Sequence, residues 1–144
     1  MKILFDTSLI IAAVVESHPM NVRAFPWLKK AKAKEFDLVV ASHTMAESYA
    51  VLSTLPIKPR ISPSVAWRLI NENIASISKI VSLTPAEYGS TIRQISEFGL
   101  VGGIIYDALI AKAAQKSKVD RLLTLNVANF IRVWPEGEKI ISLP

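Results

Sequence analysis

Cysteine is absent from the 144 residues. Disulfides, iron–sulfur clusters, thiolate zinc sites and cysteine nucleophiles are therefore excluded, and any metal must use oxygen or imidazole ligands. This fits a reducing cytoplasm. Histidine is almost as scarce: His18 and His43 lack a metal-ligand spacing, and both are expected in loops. Long apolar runs are missing too. The longest, such as Leu9 to Val15, fall far short of the ~20 residues that cross a bilayer, so no membrane span is expected. A signal peptide is a poor reading of the N-terminus because Asp6 would interrupt its apolar stretch. No internal repeat, low-complexity tract or linker breaks the chain, so one domain is expected over residues 1–144.

What is present is apolar surface and positive charge. Apolar residues make up 51% of the chain, enough for a large core. Seventeen Lys and Arg against twelve Asp and Glu give a net charge of +5, which favours a polyanionic partner, RNA or DNA first. Charge alone is a weak pointer, because Lys29, Lys30, Lys32 and Lys34 also serve to solvate a helix.

Hydrophobic patterning predicts alternating strands and helices. Residues 2–5 read as a buried strand that runs into Asp6-Thr7-Ser8, with a helix from about Ser8. A helix over 22–34 follows, with Pro26 in its first turn or kinking it. Residues 37–41 read as a strand, and Ser42 opens a helix whose Met45, Tyr49, Leu52 and Leu55 form a stripe ending before Pro56. Ser62-Pro63 is a cap and first-turn proline for a helix over 63–76, and 79–83 is a third strand. Thr84-Pro85-Ala86-Glu87 is a capping box with proline at the first helical position, for a helix to about Phe98. Gly99, Gly102 and Gly103 precede a helix over 104–118. Residues 121–125 and 139–143 supply two more strands, separated by a polar turn or short helix from Asn126 to Phe130. The fold class is α/β, with a parallel sheet covered on both faces. Ligands in such sheets bind beyond the strands' C-terminal ends, the rim that Asp6 and Asn126 occupy.

Asp6, Glu47 and Asp107 are the acids placed at the ends of apolar elements. Converging carboxylates would repel one another, and a hard divalent cation with oxygen ligands would remove the repulsion. Each acid also has a purely structural reading: Asp6 as a helix N-cap, Glu47 as the capping-box partner of Thr44, Asp107 as complement to a helix dipole.

Four ordered segments carry a resemblance: Phe5-Asp6-Thr7-Ser8; Ala46-Glu47-Ser48-Tyr49 with Leu52; Gly102-Gly103-Ile104-Ile105-Tyr106-Asp107-Ala108; and Leu123-Thr124-Leu125-Asn126-Val127-Ala128-Asn129-Phe130. Together the chain resembles the PIN-domain family, and within it the VapC-type toxins. The resemblance implies a three-layer α/β/α sandwich with a five-stranded parallel sheet in the order 3-2-1-4-5. It implies Mg²⁺ or Mn²⁺ held by Asp6, Glu47 and Asp107, and hydrolysis of RNA phosphodiesters to leave a 5′-phosphate and a 3′-hydroxyl. It also implies a cytoplasmic homodimer inhibited by a small VapB-like antitoxin.

The family often has a fourth acid in the last motif, where this chain has Asn126 and Asn129. A second metal should therefore be held weakly, and a non-catalytic module binding RNA or protein stays open as the alternative. Asn126, Ser8 and Thr124 are expected to hydrogen-bond a site carboxylate. Glu47 is open to three roles: direct ligation, ligation through water, or deprotonation of the nucleophile. Asp120 is expected to begin a strand and face away from the rim. Arg68, Arg93 and Arg132 are candidate phosphate contacts, whereas Trp27 and Trp67 are read as core or interface residues. An aspartyl-nucleophile phosphatase is disfavoured because Ser8 stands where that chemistry wants a second acid.

Overall fold

The computed structural model describes residues 1–144. Five strands, β1 (Lys2–Phe5), β2 (Asp37–Ala41), β3 (Ser78–Val81), β4 (Arg121–Leu123) and β5 (Ile141–Ser142), form one sheet. All its pairings are parallel, in the order β3-β2-β1-β4-β5. Seven α-helices connect them: α1 (Thr7–Val14), α2 (Asn21–Lys32), α3 (Ser42–Thr54), α4 (Pro63–Ile70), α5 (Pro85–Glu97), α6 (Ile104–Ser117) and α7 (Val127–Val133). The expected topology is the one observed.

Strand periodicity explains the layers. Successive side chains point to opposite faces, so each central strand feeds two cores. Leu4, Val39, Ala41 and Leu122 face α5, α6 and α7, where Ile95, Ile110 and Phe130 pack on them. Ile3, Phe5, Leu38, Val40 and Leu123 face α1 and α2, against Leu9, Ile10 and Leu28. A smaller cluster of Ile11, Val15, Leu52, Ala66 and Ile70 joins α1, α3 and α4. The order reversal between β2 and β4, on either side of β1, opens a crevice at the strands' C-terminal ends.

Several boundaries differ from expectation. The third strand ends at Val81 rather than 83, because Ser82 bonds Ser42 side chain to side chain and the next residues turn into the α5 capping box. The fourth ends at Leu123, where Thr124 turns its hydroxyl to Asp6, and the fifth is only Ile141–Ser142 at the sheet edge. The helix expected over 63–76 is α-helical only to Ile70. It then widens into a π turn, Asn71–Ala75, where the Asn73 amide bonds the Leu69 carbonyl. Pro26 lies beyond the first turn of α2, which nevertheless continues to Lys32. His43 is helical, in the first turn of α3, and not in a loop.

Phe130 is fully buried between α7 and the sheet. Phe130→Ala should cost about 3–5 kcal/mol of stability, whereas Thr84→Ala, which removes only a cap, should cost about 0.5–2 kcal/mol. Urea unfolding of the two variants measures both, and similar midpoints would contradict this division.

Candidate active site

Asp6 leaves β1 and caps α1, with its Oδ1 accepting the Leu9 N–H at 2.9 Å. The Ser8 hydroxyl lies 2.8 and 2.9 Å from its two oxygens, and Thr124 donates to Oδ2 at 2.7 Å. Both hydroxyls are themselves oriented, since Ser8 Oγ accepts from the Leu125 N–H and Thr124 Oγ1 from the Asn126 N–H, each at 2.9 Å. A strand end, a helix start and the β4–α7 turn thus converge on one carboxylate. Only 2% of Asp6 is exposed. Burial pushes its carboxyl up to about 6, although the bonds from Thr124, Leu9 and Ser8 pull the other way.

Asp107 lies in the first turn of α6. Its carboxyl is also raised to about 6, chiefly by burial and then by the negative charges of Asp6 and Glu47, while the Asn129 amide opposes the rise. The three acids are therefore electrostatically coupled. Glu47 projects from α3 into the same cleft of about 400 Å³ that Asp6 and Asp107 line. Its Oε2 is 3.5 Å from His43 Nε2, which lacks hydrogen-bond geometry to any partner, and the His43 ring stacks on Tyr106 at 4.8 Å.

The structural readings of the acids divide. Asp6 is an N-cap as well as a cleft residue. Glu47 is not a capping-box partner: α3 starts at Ser42, and Thr44 is buried with an unpartnered hydroxyl. Ser8 and Thr124 bond the Asp6 carboxylate as expected, whereas Asn126 lines the cleft and bonds Thr124 through its backbone N–H. Asp120 lies at the opposite end of the sheet, accepting the Lys2 N–H.

The three arginines considered for phosphate contact do not line this cleft. Arg68 and Arg93 pair with Glu72 and Glu97 one helical turn on, so their forks point along the outer faces of α4 and α5. Arg132 lines a separate hollow with Phe98 and Pro135. Trp27 packs on Phe36 beneath Lys30 and Arg121, whereas Trp67 is 58% exposed. His18 is the cleft residue that the sequence reading missed: it follows α1, and its Nδ1 accepts from the Met20 N–H at 3.0 Å. No spacing signal marks it, because the loop after α1 alone brings it to the acids.

No Lys or Arg lines the cleft to offset its three carboxylates. Hard oxygen donors, raised carboxyls and mutual repulsion are the donor chemistry that suits Mg²⁺ or Mn²⁺. The side chains do not close into a ready-made cluster of three or more ligands. An ion here would keep water among its ligands, as Mg²⁺ usually does.

Residues 3–133 match the family described as PIN domain. Ribonuclease VapC27 of Mycobacterium tuberculosis is 31% identical over 115 residues, 80% of this chain and 78% of that protein. The fold is similar to that of VapBC2 from Rickettsia felis bound to a DNA fragment from their promoter, with TM-score 0.68 and 21% identity over 100% of this chain and 99% of that one. M. tuberculosis VapC20, described as a Sarcin-Ricin loop cleaving toxin, aligns with TM-score 0.66 and 12% identity over 83% of this chain and 86% of that one.

The raised aspartates set a pH dependence in metal-free protein. Between about pH 4 and 6 the folded state binds more protons than the unfolded chain, so stability falls as pH rises through that window. The Asp6 shift alone corresponds to roughly 3 kcal/mol. Glu87, held at about 2 by Lys116 and the capping box, acts oppositely, but only below its ordinary 4.5. In EDTA the Tm should therefore fall from pH 4.5 to 6.5, and Asp6→Asn should flatten the fall and be the more stable protein at pH 7. A Tm that climbs over this range in wild type would contradict the assignment.

Proposed function

The chain belongs to the PIN domain family, and from that premise we propose that it is an endoribonuclease of the VapC type, a toxin hydrolysing RNA phosphodiester bonds with a divalent cation. The observation that carries this reading is the convergence of Asp6, Glu47 and Asp107 on one cleft with no Lys or Arg to neutralise them.

Asp6 and Asp107 are the principal ligands, and Glu47 completes the acidic set from α3. When bound, Mg²⁺ or Mn²⁺ would supply Lewis acidity at the phosphate and lower the pKa of attacking water. The remaining steps belong to the protein. Ser8 and Thr124 hold the Asp6 carboxylate in one orientation, the outer-sphere role that fixes a ligand before substrate arrives. Asn129 eases the charge on Asp107, and Asn126 faces the incoming strand. The N-terminus of α1 opens on the same cleft and favours anionic oxygen there.

The chain acts as a single PIN domain in the cytoplasm, as a homodimer paired with a VapB-like antitoxin. Large exposed apolar side chains support such partners: Ile92 and Tyr88 on α5, Val65 and Trp67 on α4, and Val101. No helix is long and apolar enough to cross a membrane.

With Mg²⁺ or Mn²⁺, Asp6→Asn and Asp107→Asn should each lower RNA cleavage by more than about 100-fold, and Ser8→Ala or Thr124→Val by about 10–100-fold. Mn²⁺ should raise the Tm of wild type but not of Asp6→Asn, which reads the ion apart from turnover. A wild type that leaves a panel of RNAs intact would favour the non-catalytic binding module motivated by Asn126 and Asn129, and an Asp6→Asn protein that cuts as fast as wild type would overturn the assignment of cleavage to this site.

A further inference from the structure

No Lys or Arg lines the acidic cleft, so the chain's excess positive charge lies elsewhere. Parallel topology decides where. All strand starts and the ends of the helices that precede them lie on one edge of the sheet, opposite the C-terminal rim. Lys2 and Lys79 are near the starts of β1 and β3, Lys116 and Lys118 are at the end of α6, and Lys34 follows α2. Two grooves of about 380 and 360 Å³ lie on this edge, and both are lined by Lys2 and Lys79. Lys34 lines the first, and Lys116 and Lys118 the second.

Part of this charge is committed within the protein. Lys116 bonds Glu87 and the Ser82 carbonyl, and Lys2 bonds the Ser117 carbonyl. Asp120 is occupied by the Lys2 N–H, which leaves Asp37 as the acid lining the grooves. Lys34, Lys79 and Lys118 are exposed and make no ion pair. Lys34 and Lys118 are held at φ 57° and 52°, at turns that project them from the surface. The second groove climbs the edge strand β3 as far as Ser82, which bonds Ser42 at the start of α3, the helix carrying Glu47.

We propose that this lysine trough is a second RNA-binding surface, which holds the phosphate backbone of a structured RNA remote from the bond being cut. It rests on the ribonuclease reading for its choice of polyanion. Contacts of this kind position a nucleic acid without reading its sequence, and each adds to the salt dependence of binding. A short oligonucleotide that only fills the cleft would not reach the trough, whereas a long hairpin would.

The test is the triple variant Lys34→Gln/Lys79→Gln/Lys118→Gln, whose side chains are exposed and unpaired, so its Tm should match wild type. Binding of a fluorescent long hairpin RNA is followed by anisotropy in EDTA across a salt series, so the result does not depend on cleavage. The variant should bind about 10-fold or more weaker, with the slope of log K against log salt reduced by roughly 2–3. With metal, KM for the hairpin should rise while kcat, and both constants for a short oligonucleotide, stay unchanged. An unaltered salt slope, equal loss on the short oligonucleotide, or no hairpin binding by wild type overturns the proposal. So does a variant that keeps hairpin binding but loses binding to phosphatidylserine vesicles, which would make the trough a lipid-facing surface. A wild type that binds the hairpin through these lysines yet never cuts RNA would instead sink the nuclease reading and leave the trough standing.

Discussion

A buried carboxylate at the end of the first strand is the constraint on which the site depends. Asp6 is tied to α1 through Leu9, to its own turn through Ser8 and to the β4–α7 turn through Thr124. The Thr124 bond joins segments far apart in the chain, so a residue whose burial costs the fold is also one that gathers its parts. These bonds do not fully offset the burial, and the carboxyl remains raised. Such residual destabilisation is what a preorganised anionic site demands, because a fully satisfied carboxylate would have little left to offer a cation.

Structural and functional readings of these acids are therefore not rivals. A helix N-terminus presents unpaired N–H groups and the positive end of a dipole, and it is the natural place to keep a carboxylate ionised near a core. Asp6 caps α1 and Asp107 occupies the first turn of α6 for that reason. The same polarity puts Asp6 and Asp107 on one rim and the groove-lining lysines on the opposite edge. One topological rule separates the charges proposed to meet a cation from those proposed to meet a phosphate chain.

Much of this was legible in the sequence. The apolar runs of β1 and β2 and the Thr84 capping box marked their elements closely, because burial on both faces and local hydrogen bonding are both written in short windows. The sheet order and the convergence of the acids came from the motifs, since no window contains a contact between Asp6 and Thr124. What escaped depends on tertiary detail. The edge strands were overextended because their apolar residues continue past the last ladder bond, as at Leu83 and Leu143. His43 was misplaced because a polar residue after a strand reads as a turn, whereas here α3 starts at once. His18 carries no local signal, and Arg68 and Arg93 were taken as phosphate contacts from charge alone when their i,i+4 acids already gave them partners.

The asparagines of the last motif follow from the same electrostatics. Asp107 already feels both Asp6 and Glu47, and a fourth carboxylate at Asn129 would add repulsion to a group that burial has raised. An amide there does the reverse, since it opposes the rise in the Asp107 pKa. Three carboxylates are charge enough for one divalent ion, and the neutral Asn126 and Asn129 give a second ion little to hold. With no Lys or Arg at the cleft, substrate phosphate would, on the proposed nuclease reading, be met by that ion, by helix N-termini and by the distant lysines. Weak charge compensation at the acidic cleft and the unpaired lysines at the far edge are, if both proposals hold, two halves of one arrangement.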